Sequence, residues 1–187
     1  MAKDTTGADA LKRYYFLRAF VSAVWVVAAF TLGATNPLIG GVLLVLYPAW
    51  DAFANARDAA ANGGLRANVP QAFNTVVSAL VAAGVLAALN FDPRLVLVLF
   101  GVWAILAGVL QLAAGVRRWR TFGAQWAMVL SGAQSALAGG HFLSKAAGPL
   151  PASLAPIIAP YAAFGAFYFL LSAILLTLKA RRRAKAA

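Results

Sequence analysis

Six apolar stretches, each about long enough to cross the hydrocarbon core of a bilayer, constrain this chain more than any other feature. A helix rises about 1.5 Å per residue, so about 20 mainly apolar residues cross that core with every backbone group bonded inside the segment. The stretches fall at 15–33, 38–57, 71–89, 95–116, 125–143 and 154–178. They predict an all-α membrane protein of six transmembrane helices. The second stretch is the least regular, since it carries Pro48, Asp51 and Asn55.

Turn and interface signals separate the stretches: Asn36-Pro37, Asn62-Gly63-Gly64 with Pro70, Asp92-Pro93, the Arg117 to Arg120 block, and Gly148-Pro149 with Pro151. No gap holds a soluble domain, so residues 1–187 are expected to form one transmembrane domain. The chain is 63% hydrophobic and 11% charged, against about 45 to 50% apolar in a soluble domain. A long polar start precedes the first stretch, which lacks a convincing cleavage site, so that segment is expected to remain in the membrane rather than be removed as a signal peptide.

The basic residues set a direction. The amino end through Arg18 has four, Arg57 and Arg66 add two, the Arg117 to Arg120 block three and the carboxyl tail five, which places fourteen on one side and only Arg94 and Lys145 on the other. By the positive-inside rule both termini are expected on the cytoplasmic side. The net charge of +11 comes without a nucleic-acid motif, so no nucleic acid is expected as a partner. Its blocks, at Arg117, Arg118 and Arg120 and at Lys179, Arg181, Arg182 and Arg183, suit anionic lipid headgroups. Trp119 and Trp126, beside the first block, read as interfacial anchors.

The stretches pair into three hairpins, approximately 15–57, 71–116 and 125–178, followed by a basic tail at 179–187. Gly101-Val-Trp103 through Arg117-Arg118 aligns with Gly165-Ala-Phe167 through Arg181-Arg182 at a constant offset of 64, and Tyr47-Pro48-Ala49-Trp50 aligns with Phe100-Gly101-Val102-Trp103. A pseudo-threefold repeat about an axis along the membrane normal is the expected architecture. The runs Phe100-Gly101-x-Trp103-Ala-Ile-x-x-Gly108-x-x-Gln111-Leu, Gly123-Ala-Gln125-Trp126-x-x-x-Leu130-x-Gly132 and Tyr161-Ala-x-Phe164-Gly165 resemble HdeD-type acid-resistance membrane proteins. Tyr47-Pro48-x-Trp50-Asp51 with Gln71-x-x-Asn74 is similar to one branch of that family. The resemblance implies a bacterial inner-membrane protein linked to acid survival and brings no catalytic residues with it.

Asp51 is the most informative polar group, because an aspartate deep in a membrane helix costs about 2.5 to 3.5 kcal/mol unless paired, hydrated or protonated. Asn55 and Asp58 follow at i+4 and i+7, on the same helix face. Helical rise places Arg18, Asn74 and Gln111 at a similar depth and Gln134 nearer the middle. This layer reads either as a proton site or as a structural pairing of Asp51 with Arg18. His141, the one histidine, is the candidate pH sensor, with Tyr161 at comparable depth; the alternative is a packing role. Gly101, Gly108 and Gly115 recur every seven residues, and Gly132, Ala136 and Gly140 form a second small-residue row. Either row serves contacts within one chain or between copies in a homo-oligomer.

The sequence contains no cysteine and no glutamate, which removes thiolate and H-E-x-x-H metal chemistry. No enzyme activity, metal or other cofactor is expected. Two function classes remain: a non-enzymatic protein of acid or general stress tolerance, and a small-solute or proton channel or transporter using the Asp51 layer.

Overall fold

The computed structural model describes residues 2–118 and 125–186. Among them are seven helices and no strands: α1 (Ala2–Phe30), the short α2 (Leu32–Thr35), α3 (Pro37–Ala61), α4 (Val69–Phe91), α5 (Arg94–Arg118), α6 (Gln125–Ala146) and α7 (Ala155–Ala186). Five segments are long and apolar enough to cross a membrane: Asp9–Thr35, Pro37–Ala61, Val69–Phe91, Arg94–Ala113 and Ala155–Arg182. α6 has 22 residues but is not one of these five, because Gln134, Ser135, His141 and Lys145 lower its hydropathy.

Local chemistry sets the helix ends. The Asn36 side chain accepts from the backbone N–H groups of Leu38 and Ile39 at 3.0 and 3.2 Å, and Pro37 takes the first helical position, where its missing N–H removes nothing. α3 ends where Gly63 and Gly64 take φ values of 95° and 88°, a left-handed conformation that lets Gly64 N–H bond back to Ala59 O at 2.8 Å. Arg94 Nη1 donates to Ala146 O and Gly148 O at 2.9 and 2.6 Å, fastening the start of α5 to the end of α6. The helices run past the apolar stretches at several ends, and α7 carries helical backbone through the basic tail to Ala186.

Large apolar side chains face outward. Phe20, Leu38, Leu80, Phe91 and Leu137 are each at least two-thirds exposed, an arrangement suited to lipid rather than water. The most extensive packing joins α5 to α6, α1 to α7 and α3 to α4. Each of these pairs brings the second helix of one expected hairpin against the first helix of another.

The α5/α6 seam explains its own closeness. A Cβ on Gly108 would lie 2.5 Å from Gly132 O and 2.6 Å from Ala136 N, and one on Gly139 would lie 2.5 Å from Gly101 O. Only hydrogen fits there. The row expected on α6 is corrected at one position: Gly139 meets α5, whereas Gly140 is exposed with nothing within 4 Å of a Cβ. The side-chain surroundings of Gly115 lie outside the described residues.

Candidate functional site

Between the helices lies a cavity of about 680 Å³ walled by residues from α1, α3, α4, α5, α6 and α7. Its geometry follows from the polar faces those helices turn inward. On α3 the i, i+4, i+7 spacing of Asp51, Asn55 and Asp58 sets all three in the wall. Across from them stand Ser131, Gln134 and Ser135 of α6 and Tyr161 and Tyr168 of α7.

Asp51 anchors the layer. One carboxylate oxygen, Oδ1, accepts from Arg18 Nη2, and the other, Oδ2, accepts from Ser78 Oγ at 2.7 Å and Asn55 Nδ2 at 3.1 Å. Arg18 is 8% exposed, so its charge depends on these partners: Nη1 donates to the Tyr14 hydroxyl at 2.9 Å, and the guanidinium stacks 4.3 Å from the Phe169 ring centroid. Low dielectric strengthens each of these contacts and makes an unpaired member costly. Three buried polar atoms have no protein partner among the described residues: Arg18 Nε and the Trp50 indole Nε1, both on residues of the cavity wall, and Ser153 Oγ, away from it.

Toward the end of the bundle that holds the start of α1, Asp58 accepts from Gln71 Nε2 at 3.1 Å and Asn62 Nδ2 at 3.2 Å. No cation bridges it among the described residues. On the far wall the Tyr168 hydroxyl donates to Gln134 Oε1, while Ser135 Oγ donates to Ala104 O at 2.9 Å and lies 3.3 Å from the Tyr161 hydroxyl.

At its inner end the cavity stops against aromatic rings. Trp25 packs 4.7 Å from Tyr47, Tyr47 6.1 Å from Trp103, Trp103 6.4 Å from Tyr161 and Tyr161 5.9 Å from Phe142, all centroid to centroid. Tilted and edge-on rings of this kind fill space densely. Beyond them Leu44, Leu97, Phe100 and Ile158 are fully buried.

The structure thus gathers Arg18, Asp51, Asn55, Asp58, Asn74, Gln111 and Tyr161 around one cavity. Depth and contact differ, however. Asn74 and Gln111 line the cavity, yet neither bonds Asp51; the group that does is Ser78, one turn along α4 from Asn74. Ser78 carries the only polar side chain between Val76 and Leu89, a signal of an inward-facing site. Tyr14 and Phe169 also escaped depth reasoning, because neither aromatic is unusual in a membrane chain.

His141 is exposed, stands outside the cavity wall and is not brought together with Tyr161. Lys179, Arg181 and Arg182 are exposed near the end of α7. The side chains of Arg117, Arg118 and Arg183 lie outside the described residues, as do Trp119 and Arg120 entirely. Trp126 is 55% exposed and belongs to the cavity wall.

Comparison with known proteins finds no matching family model, no matching curated protein and no matching solved structure.

Proposed function

We propose that the chain is a non-enzymatic, HdeD-like protein of the bacterial inner membrane that binds a small molecule in its central cavity and contributes to acid or general stress tolerance. The cavity carries this reading. Six helices contribute to its wall, Arg18, Asp51 and Asn55 line it, and Ser78 bonds Asp51 from behind. A membrane protein that needed only packing has little use for a cavity of about 680 Å³ with charged and amide side chains in its wall.

In this reading α6 also spans the bilayer, its 22 residues reaching about 33 Å at the helical rise. Both termini are cytoplasmic, and the cavity opens on that face. The exposed basic residues ending α7 meet anionic headgroups there. A pseudo-threefold arrangement of hairpins is favoured by the alternation of extensive and looser packing around the bundle. It is favoured again by two serines: Ser78 bonds Asp51 and Ser135 bonds Ala104, and Asp51 and Ala104 occupy equivalent positions when Tyr47 is aligned with Phe100.

Catalysis is not part of the reading, since Asp51 is held by Arg18 and His141 stands outside the cavity. The second reading, transport, has the cavity in its favour. The aromatic floor favours an occluded binding state over a continuous pore.

One experiment with two arms separates these readings. Cells lacking the protein should lose viability under acid challenge and regain it when the chain is restored, while proteoliposomes holding an imposed pH gradient should show no steady proton leak. Unchanged survival would remove the stress role. A leak that Asp51→Asn abolishes would replace binding with transport.

A further inference from the structure

The charges in the wall of the central cavity do not balance. Among the described residues that wall holds one cation, Arg18, and two carboxylates, Asp51 and Asp58. Arg18 and Asp51 match each other directly. Asp58 lies seven residues further along α3, about 10 Å down the axis at the helical rise, too far for Arg18 to neutralise it.

Asp58 also has acceptor capacity to spare. A carboxylate offers about four lone-pair sites, and Asn62 Nδ2 takes one on Oδ1 at 3.2 Å while Gln71 Nε2 takes one on Oδ2 at 3.1 Å. Both donors are neutral amides, so they orient the carboxylate without cancelling its charge. The residue lines the cavity and is only partly buried, so a ligand there can reach it.

The same wall shows how this chain holds a cation. The Arg18 guanidinium is met by the Asp51 carboxylate, by the Tyr14 hydroxyl and by two aromatic faces, Phe169 and Tyr14, at 4.3 and 5.6 Å to their centroids. Tyr15 extends that aromatic surface, 6.1 Å from Phe169 and 5.7 Å from Tyr14, and both tyrosines lie near enough to Asp58 for its charge to act on their hydroxyls. Around Asp58 a carboxylate, amides and rings come together, and no side chain among the described residues supplies the positive charge.

We propose that the cavity binds a small organic cation bearing N–H donors, of the amidine, guanidine or primary amine class, with its charge against Asp58 and its body along the aromatic wall. The volume of about 680 Å³ suits such a molecule, since small-molecule sites span about 300 to 1,000 Å³. A metal ion is disfavoured because no group of three His, Cys, Asp or Glu side chains gathers among the described residues, and hard cations ask for about six or more oxygens. Arg13, Arg57 and Arg66 are exposed, and charges held in salt water act weakly beyond about 8 to 10 Å, so the wall sets the sign inside. The proposal rests on the small-molecule reading of the cavity given above and names the class of ligand.

Three probes of nearly one shape separate charge from fit: benzamidine is a cation, benzamide is neutral and benzoate is an anion. Isothermal titration calorimetry on the full chain in phosphatidylcholine nanodiscs, corrected against empty nanodiscs, should show benzamidine binding about tenfold or more tighter than benzamide, and benzoate weakest. Asp58→Asn keeps an acceptor of the same shape and should bring benzamidine down to the level of benzamide, whereas Asp58→Glu should retain its preference. Thermal unfolding should place both variants close to the unmodified chain. Asn74→Lys sets an opposing charge in the wall one turn along α4 from Gln71. It should cause the same loss with Asp58 intact, and it serves if Asp58→Asn does not fold.

Benzamide or benzoate binding as tightly as benzamidine overturns the cation and leaves a cavity that takes small molecules. Benzamidine affinity indifferent to both Asp58→Asn and Asn74→Lys does the same. Binding of none of the three also overturns the cation, and the acid challenge described above then decides the cavity reading by itself.

Discussion

Asp51→Leu is expected to destabilise the bundle by about 3 to 5 kcal/mol, the range for stranding one member of a buried ion pair. Leucine leaves Arg18 with its charge buried and its Asp51 contact gone, and it leaves the Ser78 hydroxyl and the Asn55 amide without their shared acceptor. Asp51→Asn should cost far less, because the amide oxygen still accepts from Arg18 or Ser78 and the fold is retained. Arg18→Leu should match Asp51→Leu in size. The double variant Arg18→Leu with Asp51→Leu is the discriminating one: removing both charges restores an apolar layer, so its stability should lie well above the sum of the single losses. Thermal unfolding in detergent or nanodiscs measures all four. Additive losses would mean that the two residues do not act as a pair.

The second large effect belongs to the α5/α6 seam. Gly108→Leu places its Cβ about where Gly132 O and Ala136 N already stand, at 2.5 and 2.6 Å. Backbone atoms cannot rotate away, so the two helices must separate along their most extensive contact. The loss should reach or exceed the about 1 to 3 kcal/mol typical of overpacking. Gly140→Leu is the matched control on α6, with open space at its Cβ, and should change stability little. Equal unfolding temperatures for the two variants would show that the seam does not hold the helices.

Much of the helical layout was legible in the sequence because hydropathy and bilayer thickness act on the same length scale. The helix ends were less so. α1 starts at Ala2 and α7 continues to Ala186, since helix formation does not stop where lipid does. α6 shows the reverse limit: cavity-lining Gln134 and Ser135 make it a weaker apolar signal.

The Asp51 layer was visible in outline, because a carboxylate in an apolar run demands a partner and Arg18 shares its depth. Which α4 residue completes it was not visible, because depth fixes a level along the axis and says little about the angle around it. Asn74 and Ser78 are both near that level, and packing of α3 against α4 selects Ser78. The same difference decides the glycines. At 3.6 residues per turn, eight residues carry a position about 80° around the helix while seven leave it about 20° short. Gly132 and Gly139 therefore stay on one face, opposite the sevenfold row of Gly101 and Gly108, and Gly140 turns away.

The proposal that the cavity lies in a membrane and opens only to the cytoplasm can be tested directly because the sequence has no cysteine. Single cysteines at Asn74 and Gln111 in the cavity wall, and at the outward-facing Leu80, can be treated with a membrane-impermeant thiosulfonate in inside-out and right-side-out vesicles. Asn74→Cys and Gln111→Cys should react in inside-out vesicles only, and Leu80→Cys in neither. Reaction of either cavity cysteine in right-side-out vesicles, or silence of both in inside-out vesicles, would contradict a hydrated cavity opening on the cytoplasmic face.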